Sequence, residues 1–93
     1  MANDIKQLSL YHFQACPYCE RTRKALSEMG LHIELKDIRK QHSFRAELLK
    51  QGGKLQVPCL RIEKAKGQVE WLYESEQIIR YLREINVASK QVA

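Results

Sequence analysis

The sequence predicts an α/β domain of order βαβαββα, a four-stranded mixed sheet flanked by three helices. Three observations carry that expectation. Stretches of strand-like alternation and stretches of helical spacing follow one another in that order. The four glycines and two prolines fall between them or at their ends. The length, 93 residues, holds one such domain and no more. A right-handed βαβ unit followed by a β-hairpin and a covering helix buries all of these apolar faces together.

Residues Ile5 to Phe13 alternate, with Leu8 and Leu10 on one face and Ser9, Tyr11 and Phe13 on the other. Apolar side chains on both faces mark an inner strand. Pro17 opens a helix in which Thr22, Ala25, Leu26 and Met29 recur at helical spacing, and Gly30 stops it. Leu31, Ile33 and Leu35 then alternate with His32, Glu34 and Lys36 in a second strand. A second helix runs from about His42 to Lys50, with Phe44, Leu48 and Leu49 available for the core, and Gly52-Gly53 ends it. Val57 to Ile62 reads as the third strand, Lys64-Ala65-Lys66-Gly67-Gln68 as a turn, and Val69 to Tyr73 as the fourth strand. Ser75 is the N-cap of a last helix whose inward stripe is Ile78, Ile79, Leu82 and Ile85. The single domain spans residues 1–93, with a core over about 6–86 and a short frayed tail over 87–93.

Hydrophobic residues make up 44% of the chain and charged residues 29%, the balance of a soluble globular protein. That excludes a disordered tail, a collagen-like fibre and a disulfide-dense scaffold. No apolar run nears the ~18–20 residues of a membrane span, so no membrane partner is expected. Met1-Ala2-Asn3-Asp4 lacks the basic-then-apolar plan of a signal peptide, which points to the cytoplasm. The net charge is +5, but Lys and Arg are interleaved with Glu and Asp. The basic segments carry no interleaved aromatic platform, so a mixed solvated surface is expected and a nucleic-acid partner is not.

The chemistry concentrates at Cys16-Pro17-Tyr18-Cys19, where the first strand gives way to the first helix. The free N–H groups and positive dipole end of a helix favour an anion, so a thiol there gives up its proton more readily than a free cysteine. Cys16 stands at or before the first helical residue, pointing outward. Pro17 suits the first turn because it has no N–H to leave unsatisfied. Cys19 shares a face with Thr22, Leu26 and Met29 and should be shielded. One exposed, activated thiol beside a sheltered one suits attack by Cys16 and resolution by Cys19. Arg21, Arg23 and Lys24 either add positive field near the helix start or form a solvated face. The competing reading of the pair is a zinc half-site completed by Cys59 and His12.

Two further elements are informative. Proline in an inner strand breaks the ladder, so Val57-Pro58 implies a strand start with either a cis bond or a trans proline at an edge. A cis bond would leave the Val57 backbone free to pair with an outside extended chain. Glu74-Ser75-Glu76 opens the last helix, where N–H groups can hold a carboxylate and Glu74 can accept from an ammonium. The alternative there is an ordinary cap with acidic neighbours. Cys59 reads as a small buried hydrophobe, and His12 and Trp71 as packing residues.

Taken in order, Cys16-Pro17-Tyr18-Cys19, Val57-Pro58 and Glu74-Ser75 resemble the glutaredoxins. The stretches Leu10-Tyr11-His12-Phe13-Gln14-Ala15, Val57-Pro58-Cys59-Leu60 and Tyr73-Glu74-Ser75, the last followed by Ile78, Ile79, Tyr81 and Leu82, are similar to the thioredoxin-like N-terminal domain of glutathione transferases. The resemblance covers about residues 6–85 and implies a thioredoxin-like fold. It implies that Cys16 carries a mixed disulfide with glutathione, flanked by Tyr18. The Val57 backbone before a cis Pro58 would pair with the cysteinyl part of the tripeptide. Glu74 and Ser75, with Glu76, would hold the γ-glutamyl end, and Arg45 or Gln56 would meet the glycyl carboxylate.

Two departures point to the transferase-like branch. Phe13 stands where many glutaredoxins have lysine, and Trp71-Leu72-Tyr73 where they often have a Gly-Gly pair. The chain lacks the all-helical second domain of transferases, so ordinary transferase activity is not expected. The activity the resemblance implies is glutathione-dependent thiol–disulfide exchange. Glutathione would be the co-substrate, glutathionylated or disulfide-containing proteins the partners, and the chain a monomer with no metal. The alternative is a glutathione-binding adaptor carrying an iron–sulfur cluster between two chains.

Overall fold

Strand β1 (Ile5–His12) is apolar on both faces, and a strand of that kind is stable only where helices cover it on both sides. A computed structural model, which describes the backbone of residues 5–92 and the side chains of residues 5–86, puts it inside a four-stranded sheet. The order is β2-β1-β3-β4, with β2 at Glu34–Asp37, β3 at Cys59–Lys64 and β4 at Val69–Leu72. β1 pairs in parallel with β2 and antiparallel with β3, and β3 pairs antiparallel with β4. The βαβαββα order and the mixed sheet are those expected from the sequence.

Helices α1 (Pro17–Met29) and α3 (Ser75–Val92) cover one face, where Leu26, Ile78 and Leu82 meet Leu10, Leu60 and Ile62. The other face carries Tyr11, Ile38, Leu48 and Cys59, covered by α2 (His42–Glu47) and the wider, π-type turn Leu48–Gly52 that continues it. α1 ends as its glycine predicts. Gly30 sits at φ 70°, and the N–H groups of Gly30 and Leu31 close on the carbonyls of Ser27 and Leu26. The β3–β4 turn closes through Gly67 N–H to the Lys64 carbonyl and Lys64 N–H to the Gln68 carbonyl.

Several boundaries differ from the sequence expectation, each for a physical reason. β1 stops at His12 rather than Phe13, and β4 at Leu72 rather than Tyr73. β2 starts at Glu34, so Leu31 and Ile33 pack on the core from a loop. Leu35 is largely exposed, because β2 is an outer strand whose α1-side residue the helix covers only in part. Lys36 is the side chain turned in, between the rings of Tyr11 and Phe44. Leu49 is exposed as well, since the widened turn carries Leu48 into the core and Leu49 out of it. β3 starts at Cys59, two residues after Val57, because Pro58 has no N–H to give a ladder. α3 runs on to Val92, past the frayed tail expected after Asn86. The residues beyond Asn86 include no glycine or proline to stop it. The side chains of 87–93 lie outside the described residues.

Candidate active site

Strand direction decides what meets at the functional end of the sheet. The C-terminal end of β1, the N-terminal end of β3 and the C-terminal end of β4 lie side by side, with Tyr11 opposite Cys59 and Leu60 opposite Leu72. The segments that leave those ends are Phe13–Cys16, Val57–Pro58 and Tyr73–Ser75. The cysteine pair, the proline step and the start of α3 therefore gather at one edge although they lie far apart in the chain.

Cys16 is the N-cap of α1, with extended backbone angles and its carbonyl accepting from Glu20 N–H at 2.9 Å. Its own N–H closes a turn on the Phe13 carbonyl at 3.3 Å. Contrary to the expectation of an outward-pointing thiol, Cys16 is only 8% exposed. Cys19 is 0% exposed, on the inward face of α1, and Cys16 at the helix end is buried beside it. Cys16 still keeps a narrow contact with solvent, and Tyr18, 62% exposed, stands beside it. Burial pushes the Cys19 thiol up to about 12, reinforced by the hydrogen bond to Cys16 and by its charge. A backbone hydrogen bond at Phe13 and the charge of Arg23 pull the other way. Cys19 therefore holds its proton and Cys16 is the sulfur with a route to solvent. No disulfide links the three cysteines.

The Val57–Pro58 peptide bond is cis. Pro58 is buried and Val57 half-buried against the Tyr11 cluster, while Gln56 is exposed just ahead of them. At the start of α3 the Glu74 carbonyl accepts from Ile78 N–H at 2.9 Å. Glu74 is therefore the N-cap and Ser75 the first helical residue, one position later in the helix than expected. The helix counts its first hydrogen bond from a backbone carbonyl, which any residue supplies. Glu74 and Glu76 are exposed and Ser75 half-buried. Arg45 lies on the exposed side of α2.

Cys59 is fully buried, but on the α2 face of the sheet, away from the face that α1 covers. Burial pushes its thiol up to about 12, against a hydrogen bond with Tyr73. The Tyr73 hydroxyl donates to the Gly52 carbonyl at 2.7 Å. Trp71 packs on Tyr11, with ring centroids 5.7 Å apart. His12 is buried like a packing residue but is also hydrogen-bonded, with its Nδ1 2.9 Å from an Arg23 nitrogen. The Arg23–His12 contact was invisible to sequence spacing because it joins a strand to a helix. Among the described residues, no group of three or more His, Cys, Asp or Glu side chains is arranged to hold a metal ion. No helix among them is long and apolar enough to cross a membrane.

A buried cysteine pair at the N-terminus of α1, at the same end of a four-stranded mixed sheet as a cis-proline step, defines a thioredoxin-like domain. The sequence pattern of the family described as "Glutathione S-transferase, N-terminal domain" matches residues 10–90, and the chain belongs to that family. It is also similar to Glutaredoxin 3 of Escherichia coli K12, at 30% identity over 59 residues, which is 63% of this chain and 71% of that protein. Among solved structures it is similar to a maleylacetoacetate isomerase from Anaeromyxobacter dehalogenans, determined with GSH bound in its active site. The TM-score is 0.63 at 26% identity, over 84% of this chain and 37% of the isomerase. The chain thus spans little more than a third of that protein. Glutathione transferase Omega 2S from Trametes versicolor shares the fold, with a TM-score of 0.66 at 23% identity over 90% of this chain and 38% of that one.

Proposed function

We propose that the protein is a glutathione-dependent thiol–disulfide oxidoreductase in which Cys16 attacks and Cys19 resolves. The observation that carries this reading is the asymmetry of the pair, Cys16 with a narrow path to solvent and Cys19 with none. The Cys16 thiolate attacks the glutathione sulfur of a protein–glutathione disulfide. The old S–S bond breaks, a Cys16–glutathione disulfide forms, and the protein leaves as a thiolate that takes a proton from water. A second glutathione thiolate attacks the bound glutathione sulfur, releasing oxidised glutathione and the Cys16 thiolate. One glutathione thiol is oxidised for each mixed disulfide reduced, the other half of the oxidised glutathione coming from the mixed disulfide itself. On a protein disulfide, Cys16 forms the mixed disulfide and Cys19, after losing its proton, displaces the product. The resulting Cys16–Cys19 disulfide is reduced by two glutathiones.

Glutathione would lie along the shared edge. The Val57 backbone, just beyond the last β3 ladder pair, would take the cysteinyl part, and the amide end of α3 with Ser75, Glu74 and Glu76 the γ-glutamyl end. Tyr18 would flank the sulfurs. Gln56, exposed just ahead of Val57, or Arg45 on the exposed side of α2 would meet the glycyl end. The glutathione named in the isomerase structure supports this choice of thiol, and the E. coli relative supports the redox chemistry. A monomer in the reducing cytoplasm fits this use of free cysteines.

The test is a coupled assay with glutathione and a small glutathione mixed disulfide. Cys16→Ser is expected to abolish turnover and Cys19→Ser to retain much of it while losing reduction of protein disulfides. Equal loss from the two substitutions, or no turnover by the unaltered protein, overturns the reading.

A further inference from the structure

Three basic residues follow the cysteine pair on α1, and only one of them is turned toward it. Arg21 and Lys24 line the groove between α1 and α3, a cavity of about 480 Å³ shared with Glu28, Glu76, Arg80 and Arg83. Arg23 lies seven residues after Cys16 and four after Cys19, so all three project from the same side of the helix. Side chains on a helix lean toward its N-terminus, and Arg23 follows that lean back over the strand-to-helix turn. It donates to the Phe13 carbonyl at 3.4 Å and to the Gln14 carbonyl at 3.3 Å, and meets His12 Nδ1 at 2.9 Å. The Phe13 carbonyl also receives the Cys16 N–H, so one oxygen links the arginine to the backbone of the attacking residue.

The tautomer follows from these contacts. Arg23 has only donors, so His12 Nδ1 must accept, and the imidazole is neutral with its proton on Nε2. Burial first, then the adjacent Arg23 charge and Lys40, hold His12 below the usual imidazole range, against the pull of Asp37. The permanent cation of this cluster is therefore Arg23. Arg39 stacks on the outer side of the same turn, its guanidinium 3.9 Å from the centre of the Phe13 ring.

We propose that Arg23 is the positioning residue of the dithiol: it fastens the 12–14 segment to α1, fixing where Cys16 is presented, and it sets a permanent positive charge beside the cysteine pair. The inference rests on reading Cys16 and Cys19 as a working pair, and it adds the residue that poises them. The charged or titratable groups acting on Cys19 are then Arg23 from α1 and Cys16, while neutral His12 on β1 acts through its contact with Arg23. Asp37 and Lys40 act on His12 from the segment after β2.

The experiment uses no glutathione, so it stands apart from the turnover assay. The rate of alkylation by iodoacetamide is followed against pH in the reduced chain. Arg23→Met is expected to move the midpoint up by about one unit, a tenfold lower thiolate fraction below the midpoint, and to raise the His12 titration toward about 6.5 by NMR. Arg23→Lys is expected to return the alkylation midpoint to within roughly 0.3 unit of the parent, because it restores the charge. Lysine lacks the planar fork, so amide exchange at Cys16 in that variant should still quicken about tenfold. Should Arg23→Met fail to fold, the lysine variant decides alone through those two readings. An unchanged midpoint in Arg23→Met, or a lysine variant with parental exchange at Cys16, overturns the proposal. A parent that shows these shifts but no turnover with glutathione would retain the role of Arg23 and lose the proposed function.

Discussion

Helix α1 starts on Pro17, buries Cys19, Thr22, Ala25 and Leu26 along one side and stops in the Gly30 turn. Helix α2 starts behind Gln41, whose side chain caps nothing, and no residue of His42–Glu47 is fully buried. Besides the packing of Phe44 and Leu48, a polar tie holds α2. Lys36 on β2 reaches Glu47 at 2.7 Å, and the Tyr11 hydroxyl donates to the same carboxylate oxygen. Burial works to raise the Glu47 carboxyl, but the hydrogen bonds from Lys36 and Tyr11 outweigh it and hold the group below the usual carboxylate range. Burial and the hydrogen bond to Glu47 push the Tyr11 phenol well above its ordinary value, so it stays a donor. The helix that carries the dithiol is thus fixed by its own sequence, and the one on the other face by its neighbours.

Changes on each side can break or sharpen that contrast. The largest expected effect is Leu48→Ala, which empties a fully buried site at the widened turn and should cost about 3 kcal/mol. Denaturant unfolding would measure it, and Leu49→Ala on the exposed side of the same turn should cost almost nothing. If α1 is independent of α2, the pH profile of thiol alkylation stays in place in Leu48→Ala, and a shifted profile would show the two faces to be coupled.

Glu47→Ala should cost about 2 kcal/mol, since it strands the donors of Lys36 and Tyr11. A double-mutant cycle with Lys36→Met isolates the pair, and a coupling near zero would leave α2 held by the packing of Phe44 and Leu48 alone. On the α1 side, Gly30→Ala should cost about 1 kcal/mol, because φ of 70° is disfavoured for a side-chain-bearing residue while no atom lies within 4 Å of the added carbon. The smallest effect is pH-dependent. A carboxyl held below its unfolded value adds stability that is complete above about pH 4.3 and is lost as pH falls through the folded value. Acid titration of stability should be shallower in Glu47→Gln than in the parent, and equal slopes would count against the tie.

Much of the site was legible in the chain because its signals are local. A cysteine pair around Pro17 marks a helix start wherever the helix goes, and Pro58 marks a strand start because it has no N–H. The Leu8–Leu10 and Ile78–Leu82 stripes found their places for the same reason: periodicity alone says which side is apolar. The misjudged residues all depend on a neighbour supplied by another element. Leu35 alternates correctly but belongs to an outer strand that α1 covers only in part. Lys36 looks like a solvent residue until Glu47 is set beside it. Cys16 would point outward on an isolated helix, yet in the folded chain only 8% of it is exposed.

By itself the sequence determined the order of elements, the ends of α1 and the residue types placed at the cysteine turn, since these follow from backbone geometry and from side chains within a few positions of one another. Tertiary structure alone decided which face of the sheet Cys59 joins, how little of Cys16 meets solvent, and that Lys36 turns in to Glu47. Those outcomes depend on distances between segments far apart in the chain, and such distances are set only when strand directions and packed faces are fixed together.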